Sequence, residues 1–147
     1  MTLKVITGPN LNLLGSRENG VYGNVSLADI EKKLTVQAKE LGFNIKCIQS
    51  NHEGVLVDEI QAARNEGVRG ILINPGAYGH TSIALRDALL AVAIPFVEAH
   101  ISNIYKREEF RHKTYLSDIA DGIIIGLGPK SYEIGLAALA QVVKAKE

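Results

Sequence analysis

Five short apolar runs alternate with four amphipathic stretches along this 147-residue chain, and that order leaves few folds open. Leu3, Val5 and Ile6 read as a first strand, and Phe43, Ile45 and Cys47 alternate as a second. Gly70-Ile71-Leu72-Ile73-Asn74 is a continuous apolar run, the pattern of a central parallel strand buried on both faces. Residues 95–100 and 122–126 supply the fourth and fifth strands, Pro95 being tolerated at a strand's first position. Between them, Ser26 is an N-cap with Asp29 in the capping-box position, and Ile30, Leu34, Val36, Ala38 and Leu41 form an apolar stripe that Gly42 ends. After a polar loop at 50–54, Val57, Ile60 and Ala63 mark a second helix stopped by Gly67. Thr81 or Ser82 caps a third helix through Leu90; Ser131 starts a last one, with Ile134, Leu136, Leu139, Val142 and Val143 on its buried side. Parallel strands need long crossovers, which these helices provide, and the crossovers are right-handed. The expected result is one α/β domain over residues 1–147, a three-layer αβα doubly wound sandwich around a five-stranded parallel sheet.

Other classes fall away. With 46% apolar residues, 22% charged residues and zero formal net charge, the chain can build a core but has no basic footprint for nucleic acid. Its single cysteine, Cys47, excludes an internal disulfide and a cysteine-based zinc site, and its apolar setting reads as a buried, inert thiol. The four histidines include no H-E-x-x-H or i,i+4 pair, so no metal is expected. No run approaches the ~20 apolar residues of a membrane span and no secretory leader is recognisable, so a cytoplasmic protein is expected. No G-x-G-x-x-G follows the first strand; Asn74 and Pro9-Asn10 stand where a phospho-acceptor domain needs acids; residues 126–131 lack Walker spacing and read as a tight turn.

Ligands of doubly wound sheets bind outside the carboxyl ends of the strands. The loops after strands one, three and four should therefore share a crevice carrying Asn10, Arg17 and Tyr22; Asn74 and His80; and Glu98, His100 and Ser102. This set has no strong nucleophile and suits proton transfer on a small anionic substrate. His100 is able to act as acid or base, its tautomer set by Glu98 or by a neighbouring carbonyl.

Several motifs, in order, carry a resemblance. Gly8-Pro9-Asn10-Leu11-Asn12-Leu13-Leu14-Gly15 with Arg17 and Tyr22-Gly23, Gln49-Ser50-Asn51-His52-Glu53-Gly54, Asn74-Pro75-Gly76-Ala77-Tyr78, Glu98-Ala99-His100-Ile101-Ser102-Asn103 and Arg107-Glu108-Glu109-Phe110-Arg111-His112 together resemble the type II 3-dehydroquinate dehydratases over essentially the whole chain. The resemblance implies a flavodoxin-like fold and dehydration of 3-dehydroquinate to 3-dehydroshikimate, a step of aromatic biosynthesis and of quinate breakdown, without metal or cofactor. It implies Tyr22 as the base at C2, Arg17 as the cation beside it, and His100 as the acid at the C1 hydroxyl. Glu98 would orient His100, and Asn10 with a water would steady the enolate. Asn74 and the amides of Ile101 and Ser102 would hold the substrate carboxylate, and His80 and Arg111 its ring hydroxyls. Asp87 would reach a neighbouring subunit's site, in trimers that commonly assemble into a dodecamer.

The chemistry is coherent. C2 lies α to the C3 ketone, so its carbanion is an enolate, and the β-hydroxyl at C1 leaves once protonated. A phenol with pKa ~10 costs roughly 4 kcal/mol to ionise at pH 7. A cation within ~4–6 Å recovers about 1–3 pKa units, which Arg17 can supply on Tyr22's own loop. That loop, with glycines at 15, 20 and 23, is expected to act as a lid. His52 and His112 read as loop hydrogen-bonders, and Tyr78 and Phe110 as packing. Gly20-Val21 and Ile104-Tyr105-Lys106 depart from the family's usual residues without touching the proposed chemistry. A non-catalytic module that has kept the site, and a lyase for another cyclic hydroxy-keto acid, are the alternatives.

Overall fold

A computed structural model describes residues 1–16 and 24–147; Arg17, Tyr22 and the expected lid at 17–23 lie outside the described residues. The strands are β1 (Thr2–Thr7), β2 (Asn44–Gln49), β3 (Val68–Asn74), β4 (Phe96–His100) and β5 (Gly122–Ile125). The helices are α1 (Leu27–Glu40), α2 (Glu53–Asn65), α3 (Ile83–Val92) and α4 (Lys130–Ala145). All the strand pairings are parallel, in the order β2-β1-β3-β4-β5. That is the flavodoxin-like order, whose switch point lies between β1 and β3.

Alternation along the strands sorts the core into two halves. Leu3, Val5, Leu72, Val97 and Ala99 face Ile30, Leu34 and Ala38 of α1 and Tyr132, Leu136 and Leu139 of α4. Ile6, Ile71, Ile73 and Phe96 face Leu56, Ile60 and Ala63 of α2 and Leu85, Ala88 and Leu89 of α3. Each fully buried Leu or Ile contributes about 1.5–3 kcal/mol, so these two layers hold the sheet between its helices.

The ends of the elements follow their local chemistry. Asp29 N donates to Ser26 Oγ at 3.1 Å and Ser26 N to Asp29 Oδ2 at 3.0 Å, closing the capping box. Ser82, rather than Thr81, caps α3 by accepting from Leu85 N at 2.9 Å. Several expectations need correction. Val36 and Ile134 are exposed (58% and 43%), because the buried stripes of α1 and α4 are narrower than their apolar content. In α4 the expected Leu136, Leu139 and Val143 are buried, joined by Ser131, Tyr132, Gly135 and Ala140. Helix α2 begins at Glu53, inside the expected loop, since His52 is extended and Glu53 places a carboxylate in the first turn. Cys47 is half-buried on the edge strand; burial, with Glu31 nearby, still pushes its thiol up to about 12, so it is inert.

Two glycines set the path of the chain beyond β1. A Cβ on Gly8 would lie 2.3 Å from Pro75 O, so only glycine lets β1 leave the sheet against the end of β3. Gly15, at φ +86°, would put a Cβ 3.1 Å from Ser26 Cα, so the chain just before residue 17 lies against the start of α1.

Candidate active site

The carboxyl ends of the strands are laced together by polar contacts. Gly8 N donates to Asn74 O at 2.8 Å, tying the exit of β1 to that of β3. Gln49, at the end of β2, donates through Nε2 to Gly8 O at 3.1 Å and to Asn51 Oδ1 at 3.2 Å. Asn10 takes a left-handed conformation (φ 67°), which asparagine tolerates better than most residues, and donates its main-chain N–H to Asn51 Oδ1. Tyr78 OH donates to Asn51 O at 2.6 Å while its ring packs on the α2/α3 core.

Asn74 is buried at the end of β3 and locked at both ends of its amide. Its Oδ1 accepts from Gly76 N at 3.1 Å, and its Nδ2 donates to Tyr132 OH at 3.2 Å. The phenol in turn lies 3.0 Å from Thr7 Oγ1. Burial pushes the Tyr132 phenol up to about 12 despite the bonds to Thr7 and Asn74, so it stays neutral. Among the described residues the second Nδ2 hydrogen of Asn74 has no acceptor.

Glu98 and His100 lie within β4 itself, not in the loop after it. Both are buried, and His100 Nε2 lies 2.6 Å from Glu98 Oε2. Burial works against the charged carboxylate, but the bond and charge of His100, then the Ser117 and Thr114 hydroxyls, hold Glu98 below the usual carboxylate range. An ionised Glu98 accepts from Nε2–H, which leaves Nδ1 as the imidazole's working nitrogen. Among the described residues Nδ1 has no hydrogen-bond partner.

His80 closes the short 3-10 turn Gly76–His80 and stacks on His100, ring centroids 6.0 Å apart. Its Nδ1 donates to Lys113 O at 2.9 Å, leaving Nε2 as an acceptor. Burial, then repulsion from His100 and Arg111, keeps its imidazole below the ordinary value against the pull of that bond. Ile101 and Ser102 follow His100 directly, and among the described residues neither main-chain amide donates a hydrogen bond. Arg111 lies in the segment between β4 and β5, where Glu108 Oε1 accepts from its Nε at 2.9 Å.

The carboxyl ends of the neighbouring strands β1, β3 and β4 thus bring Asn10, Asn74, His80, Glu98, His100, Ile101 and Ser102 to one edge of the sheet, as the topology demands. Asp87 stands apart, exposed on the outer side of α3 beside Ile83 and Leu90. Phe110 is 68% exposed and packs only under the Arg111 guanidinium, so its reading as a packing residue does not hold. His112 does bond within its loop, to Arg107 O, whereas His52 caps α2 without using its side chain. Sequence reasoning missed Tyr132, Thr7, Thr114 and Ser117. Their signal is faint: a Thr-x-x-Ser spacing, and a tyrosine in the first turn of a helix that otherwise reads as core.

Among the described residues no cluster of His, Cys, Asp and Glu has the makings of a metal site, and no helix is long and apolar enough to cross a membrane. The family model for class II dehydroquinase matches residues 1–140. A 3-dehydroquinate dehydratase from Stutzerimonas stutzeri is 58% identical over 142 residues, 96% of this chain and 97% of that one. One from Prochlorococcus marinus is 56% identical over 144 residues, 98% and 99% of the two chains. The crystal structure of a type II dehydroquinase from Butyrivibrio crossotus superposes with a TM-score of 0.90 at 45% identity, covering 95% of this chain and 97% of that one.

Proposed function

Because this chain belongs to the class II dehydroquinase family, we infer that it is a hydro-lyase converting 3-dehydroquinate to 3-dehydroshikimate. The buried Glu98–His100 pair carries this reading. A carboxylate stands behind one imidazole nitrogen and the other has no hydrogen-bond partner among the described residues, the arrangement of a proton donor once the ring is protonated.

In the proposed mechanism Tyr22, as phenolate beside Arg17, takes the proton from C2, and the electron pair of that C–H bond moves into the C3 ketone to give an enolate. Asn10 and a water steady the enolate oxygen. His100, as an imidazolium backed by the ionised Glu98, then donates its Nδ1 proton to the C1 hydroxyl, the C1–O bond breaks, and water leaves as the enolate collapses to the conjugated enone, leaving His100 neutral with its remaining proton on Nε2. Asn74, with its amide already fixed, and the free N–H groups of Ile101 and Ser102 would take the substrate carboxylate. His80 Nε2 and Arg111 would bind ring hydroxyls. No metal or cofactor is needed, since acid, base and enolate stabiliser are all side chains or water.

The catalytic unit is the single domain 1–147, and the protein works in the cytoplasm, in the shikimate route or in quinate breakdown. It works as a trimer, four of which make a dodecamer. The outer stripe of α3 supports assembly: Ile83 and Leu90 are 56% and 53% exposed, and Asp87 lies between them. A burial of that stripe between subunits would carry Asp87 towards a neighbouring site.

The test is direct. Mixed with 3-dehydroquinate, the protein should generate the ultraviolet absorbance of a conjugated enone, undiminished after exhaustive chelation. Binding without new absorbance would mean a non-catalytic module. Turnover of another hydroxy-keto acid that dehydroquinate fails to inhibit would mean a different lyase.

A further inference from the structure

Glu98 is fully buried, yet its second oxygen is as occupied as the one facing His100. Ser117 Oγ donates to Glu98 Oε1 at 2.6 Å, and Thr114 Oγ1 lies 3.2 Å from the same oxygen. The two hydroxyls also bond to each other. Each has one proton to give. Thr114 Oγ1 already accepts from Ser117 N at 3.0 Å and from Leu116 N at 3.4 Å. Ser117 makes the shorter bond to the carboxylate, so Ser117 gives its proton to Glu98 and Thr114 gives its proton to Ser117. Donation runs from two main-chain amides through Thr114 and Ser117 to Glu98 Oε1, while Glu98 Oε2 accepts from His100, every link polarising the next.

We propose that Ser117 and Thr114 are positioning residues for the proton donor, holding Glu98 ionised so that its other oxygen keeps Nε2–H of His100 turned inward and stabilises the imidazolium whose Nδ1 proton goes to the substrate. This rests on the reading of His100 as the acid. Without the two hydroxyls, Glu98 Oε1 would be a buried anionic oxygen with no donor, an expensive state. The carboxyl would take up a proton more easily, and a neutral Glu98 would no longer stabilise the imidazolium that His100 must be to give a proton from Nδ1. The hydroxyls thus act on the proton donor through Glu98, by keeping a negative charge behind its imidazole.

The surroundings leave this task to them. The ionisable groups facing the pair are His80, stacked on His100, and Arg111, which repels His80. On the far side, Thr114 and Ser117 line the floor of a groove of about 640 Å³ together with Arg86, Asp87, Lys113 and Asp118. Arg86 there is occupied by Asp118 and by Tyr115 O, not by Glu98. Thr114 and Ser117 are half-buried, so trimming either leaves the core layers untouched.

The experiment compares Ser117→Ala, Ser117→Thr and Thr114→Val with the parent in steady-state turnover of 3-dehydroquinate across the pH range. In parallel, the Cε1–H resonance of His100 is titrated by NMR in the free proteins. Ser117→Ala is expected to lower kcat by about tenfold or more with KM little changed. Losing a donor makes Glu98 easier to protonate, so the acid limb of the kcat/KM profile should move to higher pH. Ser117→Thr should restore both, and Thr114→Val should act in the same direction by a smaller factor. The His100 resonance should shift in Ser117→Ala. An acid limb and a His100 titration identical to the parent's in Ser117→Ala would overturn the proposal, as would lost activity that Ser117→Thr fails to restore. If the parent itself does not turn over dehydroquinate, the functional reading fails, and the NMR titration alone decides whether the hydroxyls govern His100.

Discussion

Lys4 and Glu98 are both fully buried, both on the α2/α3 face of the sheet, and both paired with opposite charge or its precursor. They differ in what is left over. Lys4 Nζ reaches Glu59 O at 2.8 Å, Glu66 Oε1 at 2.6 Å and Glu59 Oε2 at 2.7 Å, and Lys46 takes the other oxygen of Glu66. Two protons of the Lys4 ammonium make hydrogen bonds, and the charge contact to Glu59 Oε2, an oxygen with no hydrogen-bond partner among the described residues, closes the third side, so the ammonium is enclosed by groups of the chain. The Glu98–His100 pair instead ends in a ring nitrogen with no partner among the described residues. A buried charge enclosed and neutralised by groups of the chain is architecture. One that leaves a single valence open at the carboxyl edge of the sheet is available for chemistry.

The largest effect should come from the open pair. His100→Ala should reduce kcat by about a thousandfold while the melting temperature stays close to the parent's. Exchange of the C2 proton with solvent, followed by NMR, should continue slowly, because the enolate can still form. Exchange abolished by His100→Ala but retained by Tyr22→Phe would reverse the assigned roles. The closed cluster should show the opposite profile. Lys4→Ala is expected to cost about 3 kcal/mol in urea unfolding, with turnover per folded molecule unchanged; Lys4→Met, which keeps the apolar stem, should recover part of the loss. Altered kcat in either variant would break the contrast.

Tyr132→Phe lies between the two. It strips a buried partner from Asn74 and Thr7, costing about 1–2 kcal/mol, and should raise KM more than it lowers kcat because Asn74 loses its anchor. The smallest effect concerns pH. Hydrogen bonds from Lys4 and then Lys46 hold the Glu66 carboxyl below its ordinary range. That stability is present above the unfolded value near pH ~4.3 and is lost as pH falls through the lower folded value. Acid unfolding of Lys4→Met should accordingly be less steep in that window.

The sequence disclosed most of the frame because its punctuation is local. Gly42 and Gly67 both adopt positive φ just past a helix, and the Ser26–Asp29 capping box needs only four adjacent residues. The crevice was legible through topology, since strand ends must converge whatever the side chains are. What stayed hidden depends on distant partners. Lys4 looks like a solvent residue until α2 brings Glu59 and Glu66 over it. Thr114 and Ser117 lie 16 and 19 residues from Glu98, along an irregular stretch without periodicity. Val36 and Ile134 misled for the reverse reason: helical spacing tells which residues share a face, not how wide the covered part of that face is.

Gly8 and Gly15 have a consequence for how such a molecule can change over time. The first pins the chain leaving β1 to the end of β3, and the second brings the chain back against the first residues of α1. The stretch between Gly15 and Ser26 therefore departs from and returns to one fixed place. Closing a loop between ends already held together depends only weakly on its length, about 0.6 kcal/mol for each doubling. Substitution, lengthening or exchange of that stretch for a relative's would leave the sheet and its two cores nearly as they are. Arg17 and Tyr22 fall within that stretch of sequence, so the roles proposed for them can be probed by exchanging it while the rest of the chain is kept.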